Sequence, residues 1–391
     1  MRNKFFFAVL AITTALSALP AQAVLSAASI PAVFDEFLKL PALANPAVVL
    51  IDGISGEVIY ERNSQSQRKP ASVMKLLSGA ATLEYLDPGA TFETRVYLGS
   101  HAKTLVIEGS FDPWLSLNNL EAKKMHRTSL PRFATYSMVA LKSTNHGSLK
   151  NISVKYYGLY SQDIANLKKF WAKRGFKPTF SSVSRDTALA AEGESVFSSQ
   201  SPTVKEILNF TLLWSDNLLA ERLARLASKA AGYGLTDLGV ATTFHSLLNR
   251  LNIDASQLVV ADGSGLSKEN RASAQIIGQL LYETRKEEKF ALLYKSLPVS
   301  GISGTLKNRF ITTAPSAVGL IHAKTGSLNG TVTLAGFVES SDREYIFAIL
   351  ADEIPRSTRA SDKARAAIDR LLGRIAAPNI PAEISEATPV P

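Results

Sequence analysis

The sequence predicts an α/β (α+β) fold in which one antiparallel sheet is built from both ends of the chain. Strand-like runs occur near the N-terminus, at residues 47 to 61, and again towards the C-terminus, at 319 to 351. Between them lie segments with apolar residues at helical spacing and a less regular stretch from 90 to 200. We therefore expect a sheet flanked by helices, a helical lobe and an inserted domain.

Length and composition support a folded chain with more than one domain. Of its 391 residues, 46% are hydrophobic and 20% are charged, the balance of a globular protein. Because this length exceeds what one hydrophobic core usually serves, we expect a main domain formed by residues 24 to 89 and 201 to 376, interrupted by an inserted domain at 90 to 200. The absence of cysteine excludes disulfides, zinc–thiolate sites and thiolate nucleophiles.

Both ends of the chain carry signals of their own. Arg2 and Lys4 precede a 15-residue apolar run, and the small residues Ala21 and Ala23 follow it. This pattern predicts a signal peptide at residues 1 to 23 and hence an exported protein. An uncleaved membrane anchor is the alternative, but a span needs roughly 20 apolar residues. Four prolines in residues 377 to 391 predict a disordered tail.

The first elements of the main domain are a hairpin and a helix. Residues 47 to 61, AVVLIDGISGEVIYE, contain two β-branched runs around a Gly53 to Gly56 turn, which predicts a hairpin at the edge of a sheet. From Ser72, SVMKLLSGAATLEYL has apolar residues at helical spacing, and Asp87-Pro88-Gly89 stops the pattern. We expect a buried helix that begins at Ser72.

The other elements follow from the same periodicities. Within the insertion we expect strands at Arg95 to Leu98, Leu105 to Glu108 and Ile152 to Tyr157, and a helix at Asp163 to Arg174. A capping box at Thr203 opens a helical region that pauses at residues 214 to 217 and resumes to Ala231. Later elements are helices at 236 to 251, 273 to 286 and 357 to 375, and adjacent strands at 319 to 324, 331 to 338 and 344 to 351.

A serine and a lysine share one face at the start of the predicted helix. In Ser72-Val-Met-Lys75 the amine lies one turn beyond the hydroxyl, so a lysine with a lowered pKa could take the serine's proton and activate it as a nucleophile. On its own the pattern is far more often that of a helix cap and a solvated charge. Ser66-Gln-Arg-Lys69 repeats the spacing, but Pro70 disfavours a helix there.

Two further motifs favour the chemical interpretation. Ser215-Asp216-Asn217 falls at a break between helices, and Lys324-Thr325-Gly326 ends one predicted strand. Ser-x-Asn also occurs at residues 116 to 118 and 143 to 145, whereas Lys-Thr-Gly occurs once. The three motifs in this order are the signature of penicillin-binding proteins and class A β-lactamases.

With these motifs the chain resembles, over most of residues 45 to 375, the D-alanyl-D-alanine carboxypeptidase/endopeptidase family of class C low-molecular-mass penicillin-binding proteins. Further segments that resemble this family are Asn217 to Glu221, Asp262 to Ser267, Leu297 to Gly301, Gly304 to Leu306 and Gly336. The resemblance implies the penicillin-binding-protein/β-lactamase-like transpeptidase fold, with an active site where the sheet meets the helical lobe. It also implies a serine-type carboxypeptidase, with DD-endopeptidase activity left open, that acts on peptidoglycan stem peptides and is acylated by β-lactams.

The resemblance also implies a role for each site residue. Ser72 would be acylated, Lys75 would be its base, and Ser215 and Asn217 would line the opposite wall, Asn217 holding the substrate's amide. Lys324 and Thr325 would bind the terminal carboxylate of the substrate. Gly326 and Ser327 would complete this substrate-binding segment. The backbone N–H groups of Ser72 and Ser327 would form the oxyanion hole. Asp262, Ser264 and Arg309 are interpreted as structural.

The sequence departs from this family in the insertion. Residues 76 to 214 separate Lys75 from Ser215, fewer than many members carry, and Phe111 stands where a glycine is usual. Residues 123 to 155 contain seven lysines and arginines and no acid, which predicts either a solvated basic face or a patch for anionic cell-wall polymers. Without its signal peptide the chain has 41 basic and 34 acidic residues, a net charge of +7.

Two other functions stay open at this point. A β-lactamase or esterase could use the same scaffold, but the Glu-x-x-x-Asn pattern of class A β-lactamases does not occur between Asn217 and Lys324. An inactive wall-binding protein could keep the fold, but it would not need Ser72 with Lys75. No cofactor is expected, and no metal site, because the five histidines form no ligand pattern. A nucleic-acid partner is not expected for an exported protein.

Overall fold

The computed structural model describes residues 29–340 and 343–376. The predicted signal peptide at 1 to 23 and the predicted tail at 377 to 391 lie outside the described residues. The strands, in chain order, are β1 Ala47–Asp52, β2 Val58–Arg62, β3 Glu93–Gly99, β4 Thr104–Gly109, β5 Ser153–Tyr157, β6 Thr179–Ser182, β7 Glu192–Gln200, β8 Ile321–Leu328, β9 Thr331–Ser340 and β10 Arg343–Ala351.

The helices surround and connect these strands. They are α1 Ile30–Leu38, α2 Lys75–Tyr85, α3 Asn119–Lys124, α4 Leu130–Thr144, α5 Ser161–Ala172, α6 Arg185–Ala190, α7 Val204–Trp214, α8 Asn217–Ala230, α9 Asp237–Arg250, α10 Ala274–Lys286, α11 Ala291–Lys295 and α12 Thr358–Ala376. Short 3₁₀ turns include Ala71–Met74 and Gly304–Leu306. In the part of the chain that the structure describes, no helix combines the length and the apolarity needed to cross a membrane.

The main sheet joins both ends of the chain, as predicted. Its strand order is β2-β1-β10-β9-β8, and every neighbouring pair is antiparallel. All six residues of β1 are buried because both faces of the sheet are covered. Val49 and Ile51 face the core shared with α2 and α10, whereas Val48 and Leu50 face the core shared with α1 and α12. The predicted edge hairpin is confirmed, with β2 at the edge.

The helical lobe surrounds α2. Its α2, α7, α8 and α9 share one hydrophobic core, and the capping box predicted at Thr203 is present at the start of α7. The expected helix start at Ser72 is wrong by one turn, since Ala71–Met74 is a 3₁₀ turn and α2 begins at Lys75. Ala71 has a left-handed backbone, with φ of 49°, so no regular helix can begin before Ser72, and the residues that follow form the tighter 3₁₀ turn that often starts a helix.

A second sheet lies wholly within residues 93 to 200. Its order is β6-β5-β4-β3-β7, parallel across β4, β5 and β6 and antiparallel on both sides of β3. It has its own core around Phe133 and Trp171. The three expected strands are confirmed, while β6, β7, α3, α4 and α6 were not expected. Domain boundaries at 90 and 200 remain our prediction.

A buried ion pair links this second sheet's helices to the helical lobe. The guanidinium of Arg222 on α8 lies 3.0 Å from the carboxylate of Asp163 on α5, and both side chains are buried. Arg222 also donates to the carbonyl of Pro113 at 3.1 Å. Since breaking a buried pair leaves an uncompensated charge, this contact holds the insertion in place against α8.

Candidate active site

Ser72 and Lys75 lie in hydrogen-bonding contact. The Nζ atom of Lys75 is 2.9 Å from the Oγ atom of Ser72. Lys75 is fully buried at the start of α2, whereas Ser72 is partly exposed. The 3₁₀ turn therefore presents the hydroxyl to solvent while the amine stays in the interior, the arrangement that a serine nucleophile and its base require.

Lys75 has an environment that favours its neutral form. Burial lowers the pKa of Lys75 from 10.5 to about 8, although Asp262, Asp216 and Glu221 pull in the opposite direction. Nζ also contacts the Oδ1 atom of Asn217 at 2.7 Å and the carbonyl of Ser264 at 2.6 Å. These contacts fix the position of the amine beside Ser72, so a modest rise in pH produces a positioned base.

The turn at residues 262 to 265 holds the carbonyl that contacts Lys75. Oδ1 of Asp262 accepts from the backbone N–H groups of Ser264 and Gly265 at 2.9 and 2.6 Å. Glu221 on α8 accepts from the N–H of Gly263 at 2.7 Å. Both carboxylates are therefore used to shape the turn. The interpretation of Asp262 as a structural residue agrees with these contacts, and its effect reaches Lys75 through Ser264.

Ser215, Asp216 and Asn217 form the junction between α7 and α8. Ser215 has a left-handed backbone, with φ of 59° and ψ of 41°, unusual for a residue other than glycine. Asp216 caps α8 by accepting from the N–H of Leu219 at 2.9 Å. The sharp turn points Ser215 and Asn217 at different lysines, since Asn217 contacts Lys75 and Ser215 contacts Lys324.

Lys324 lies on β8 and is completely buried. Its Nζ atom donates to the Oγ atom of Ser215 at 2.8 Å and to the carbonyl of Thr325 at 2.9 Å. Burial, and then repulsion from Lys75, lower the pKa of Lys324 well below its usual value. Because burial and the nearby Lys75 both disfavour the charged form of Lys324, an anionic group that enters the site would favour that charged form.

Gly326 allows β8 to approach Ser72 closely. A Cβ atom at this position would lie 2.1 Å from the Oγ1 atom of Thr333 and 3.0 Å from the backbone nitrogen of Ser72. Thr333 on β9 also donates to the carbonyl of Pro70 at 2.9 Å, which ties the 3₁₀ turn to the sheet. Only glycine fits at 326, so the close contact between strand and turn depends on it.

Two contacts of this strand were not anticipated from the sequence. The hydroxyls of Thr325 and Thr305 are 2.8 Å apart, and Arg365 on α12 donates to the Oγ atom of Ser327 at 3.1 Å. The segment Gly304 to Leu306 resembles the family, but no sequence pattern assigned Thr305 to the active site. Nothing in the periodicity of α12 distinguishes Arg365, because the contact joins residues far apart in sequence.

The structure thus brings the predicted residues of all three motifs together, Ser72 and Lys75, Ser215 and Asn217, and Lys324 to Ser327. The second Ser-x-x-Lys sequence does not belong to this cluster. The Nζ atom of Lys69 lies 3.6 Å from Asp352, whose carboxylate also accepts from the N–H of Lys69 at 3.1 Å. Lys69 is thus held by Asp352 on the far side of Pro70 rather than by Ser66.

Sequence comparison identifies the family. The profile of the D-Ala-D-Ala carboxypeptidase 3 (S13) family matches residues 31–129 and 146–375, which include all three motifs. A curated relative, the carboxypeptidase DacB of Mycolicibacterium smegmatis, is 29% identical over 380 residues, and the alignment covers 85% of this chain and 83% of the relative.

Solved structures agree on the fold. Penicillin binding protein 4 (dacB) of Haemophilus influenzae superposes with a TM-score of 0.67 at 17% identity, covering 88% of this chain and 98% of the other. The penicillin G-acylated predatory endopeptidase of Bdellovibrio bacteriovorus gives 0.55 at 18% identity, covering 83% and 90%. The predicted fold class and family resemblance are confirmed: the chain belongs to the D-Ala-D-Ala carboxypeptidase 3 (S13) family of serine peptidases.

Proposed function

We propose that Ser72 is the nucleophile of this carboxypeptidase and that Lys75 is its base. The observation that carries the proposal is the contact between Lys75 Nζ and Ser72 Oγ, made by a lysine whose pKa burial lowers to about 8. Lys75 takes the hydroxyl proton as Ser72 Oγ bonds to the carbonyl carbon of the penultimate D-alanine. The amide bond then breaks, and the terminal D-alanine leaves with a proton on its nitrogen.

The other motif residues bind the substrate in this proposal. The N–H groups of Ser72 and Ser327 receive the oxyanion, for which the close approach at Gly326 is the support. Asn217 holds the peptide amide. Ser215, whose Oγ atom lies 2.8 Å from the Nζ atom of Lys324, passes the proton that Lys75 took from Ser72 to the leaving nitrogen. Lys324 and Thr325 attract and bind the terminal carboxylate. Water then hydrolyses the ester on Ser72.

Hydrolysis of D-alanyl-D-alanine is the activity of the family to which the chain belongs. We propose that the same site also accepts cross-linked peptides, as an endopeptidase, because the Bdellovibrio protein of the same fold is an endopeptidase. That protein carries penicillin G as an acyl group, which supports a β-lactam as a covalent inhibitor of this chain. A soluble pentapeptide and a purified cross-linked dimer, assayed side by side, test the two activities.

Deacylation distinguishes a peptidase from a β-lactamase. A class A β-lactamase uses a glutamate to activate the water that attacks the acylated serine. The carboxylates that influence Lys75 are Asp216, Glu221 and Asp262. Among the described residues each of these already accepts backbone N–H groups. None is therefore a spare base, and we propose that ring-opened β-lactams stay bound to Ser72.

The exposed lysines and arginines of the insertion are proposed to bind anionic cell-wall polymers. Lys123, Lys124, Arg132 and Lys142 are exposed. Arg127 is different because it is half-buried and donates to the carbonyl of Trp114 at 2.8 Å, so it supports the fold and should be left intact. Replacing the four exposed residues with glutamine should weaken binding to isolated walls and its dependence on salt, yet spare hydrolysis of a soluble pentapeptide. Equal loss on both substrates would contradict this proposal.

Export is proposed from residues 1 to 23, with cleavage after Ala23. The family match begins at residue 31, so residues 1 to 23 lie outside the matched part of the chain. N-terminal sequencing of the protein secreted by its host tests the cleavage site. A mature chain that keeps Met1 would contradict it.

The proposed function as a whole is tested by release of D-alanine from a pentapeptide. Wild-type protein should release it and Ser72→Ala should not, because no other described hydroxyl contacts Lys75. Ser66→Ala is the matched control, since it changes the serine of the second Ser-x-x-Lys sequence and should retain activity. Release by Ser72→Ala at the wild-type rate would overturn the assignment.

A further inference from the structure

A second concave site lies between the inserted sheet and α8. The cavity has a volume of about 300 Å³ and is lined by Glu93, Arg95, Glu108, Gly109, Ser110, Phe111, Tyr157, Arg185 and Lys229, at the lower end of the range for small-molecule pockets. Lys229 follows Asn217 by twelve positions on α8, which places it roughly 18 Å along the helix axis from the start of α8. None of the three motifs contributes to this cavity.

One wall of the cavity is an uncovered part of the inserted sheet. Arg95 on β3 pairs with Glu108 on β4, which in turn is level with Tyr157 on β5, so the three side chains share a face. Further along the same face Val106 packs under α6. Since α6 has only six residues, it covers the apolar half of the face and leaves the charged half open.

This wall carries charges of both signs, the carboxylates of Glu93 and Glu108 and the guanidinium groups of Arg95 and Arg185. Glu93 contacts Arg95, and Glu108 lies 3.7 Å from Arg95 and 3.9 Å from Arg185. Beside them the Oε1 atom of Glu192 is buried without a hydrogen-bond partner, and burial followed by the charge of Glu108 raises the pKa of Glu192. The two lining carboxylates are thus balanced by the two guanidinium groups, but among the described residues Glu108 makes only the two long contacts and the Oε1 atom of Glu192 beside it has no partner. This wall can therefore accept N–H groups from one more cation.

Lys229 supplies the opposite charge from α8. Its Nζ atom lies 4.5 Å from the centre of the Phe111 ring, and no carboxylate among the described residues forms an ion pair with it. A cation over a ring face keeps its N–H groups available to an anion. The ammonium is thus placed at the cavity and lacks a counter-ion.

Phe111 holds Lys229 in place at a conformational cost. Its φ of 64° lies in the left-handed region, which is strained for a bulky residue. The position follows Gly109, whose Cβ would collide with the carbonyl of Gly158, so the chain is tightly constrained there. The ring packs against Tyr157 and Tyr160. A glycine would remove the strain but also these ring contacts and the contact with Lys229.

We infer that this cavity binds a small zwitterion, an amino acid or dipeptide with one free carboxylate and one free ammonium group. The carboxylate pairs with Lys229 and the ammonium with Glu93 and Glu108. The size fits because a volume of about 300 Å³ accommodates a dipeptide but not a glycan chain. The inference goes beyond the proposed function and does not depend on acylation at Ser72.

The test is titration of the full chain with D-alanyl-D-alanine while excess benzylpenicillin is present throughout, so that Ser72 stays acylated and blocked. The intact mass of the protein shows whether Ser72 is acylated. If no adduct forms, the proposed function fails, and the inference about the cavity is not affected. Calorimetry should show one remaining site. Lys229→Met should weaken binding at least about tenfold, and so should an acetyl group on the dipeptide's nitrogen or an amide at its carboxyl end.

Two variants keep the test independent of folding. Lys173→Met changes an exposed lysine on the same insertion, away from the cavity, and should bind like wild type. Phe111→Gly should weaken binding because it removes the ring under Lys229; its melting temperature should fall, since the ring also packs against Tyr157 and Tyr160, so binding is measured well below that temperature. The inference is overturned if the blocked protein binds no dipeptide, if Lys229→Met binds as tightly as wild type, or if the acetylated dipeptide binds as tightly as the free one.

Discussion

The pH dependence of acylation reports directly on Lys75. Its pKa of about 8 means that roughly one tenth of the amine is neutral at pH 7 and about nine tenths at pH 9. If the neutral amine takes the proton from Ser72, the rate of acylation should rise about tenfold between these values. If the lysine were unperturbed, with a pKa near 10.5, the rate of acylation would keep rising well beyond pH 9.

The assay is single-turnover acylation by a fluorescent penicillin from pH 6 to 10. Lys75→Met should lose about 10²- to 10⁴-fold in rate, the usual contribution of a general base, and should show no rise with a midpoint near 8. Lys69→Met is the matched control because Lys69 contacts Asp352 rather than a serine. A flat profile in the wild type, or a Lys75→Met variant at the wild-type rate, would refute the base assignment.

The same lysine should leave a mark on stability. The folded-state pKa of Lys75 is lowered, so between about pH 8 and 10.5 the unfolded chain binds more protons than the folded one. Stability relative to Lys75→Met should therefore rise with pH across that window and be constant below it. Urea unfolding of both proteins at several pH values measures this difference, and a falling difference would contradict the lowered pKa.

Three further outcomes follow from the site. A deacylation barrier of roughly 20 to 22 kcal/mol gives acyl-enzyme lifetimes on the order of a minute to half an hour. The intact mass of the protein after mixing with penicillin should therefore show one persistent adduct, whereas rapid catalytic hydrolysis of the drug would indicate a β-lactamase. Asp262→Asn removes a charge that raises the pKa of Lys75, so the midpoint of the pH profile of acylation should move below 8. An unchanged midpoint would show that the charge of Asp262 does not affect the pKa of Lys75. Gly326→Ala should nearly abolish acylation, since its Cβ would lie 3.0 Å from the nitrogen of Ser72. The control Gly89→Ala, whose Cβ would have its nearest neighbour at 3.4 Å, should acylate normally. If both variants acylate at the wild-type rate, β8 can shift to accept the extra atom.

Much of the main domain could be predicted because its signals are local. The hairpin at residues 47 to 61, the capping box at Thr203 and the break at residues 214 to 217 each depend on neighbouring residues. The three motifs were found for a related reason, since each is short. The prediction that Lys324-Thr325-Gly326 ends a strand was wrong, because β8 continues to Leu328 through its pairing with β9. The sheet that joins both chain ends followed from strands of the right length at each end.

The insertion was harder to predict because its order depends on distant contacts. Strand β7, with the polar sequence EGESVFSSQ, is partly exposed along its whole length and gains its conformation by pairing with β3. Helix α6 has six residues, too short for periodicity to reveal. The left-handed backbones of Ala71 and Ser215 also lack a sequence signal, since glycine, the usual residue there, is absent.

Contacts across the site were invisible for the same reason. Thr305 meets Thr325 and Arg365 meets Ser327 only after the chain has folded. Spacing along a helix or strand specifies a face but not what packs against that face.

The most direct measurement is the site of acylation by penicillin. The protein should gain one drug mass, and proteolysis followed by tandem mass spectrometry should place that mass on Ser72, because only this hydroxyl contacts Lys75 among the described residues. Ser66→Ala should acylate normally and Ser72→Ala should not acylate. A drug mass on Ser66 or Ser215, or an adduct that persists in Ser72→Ala, would contradict the account.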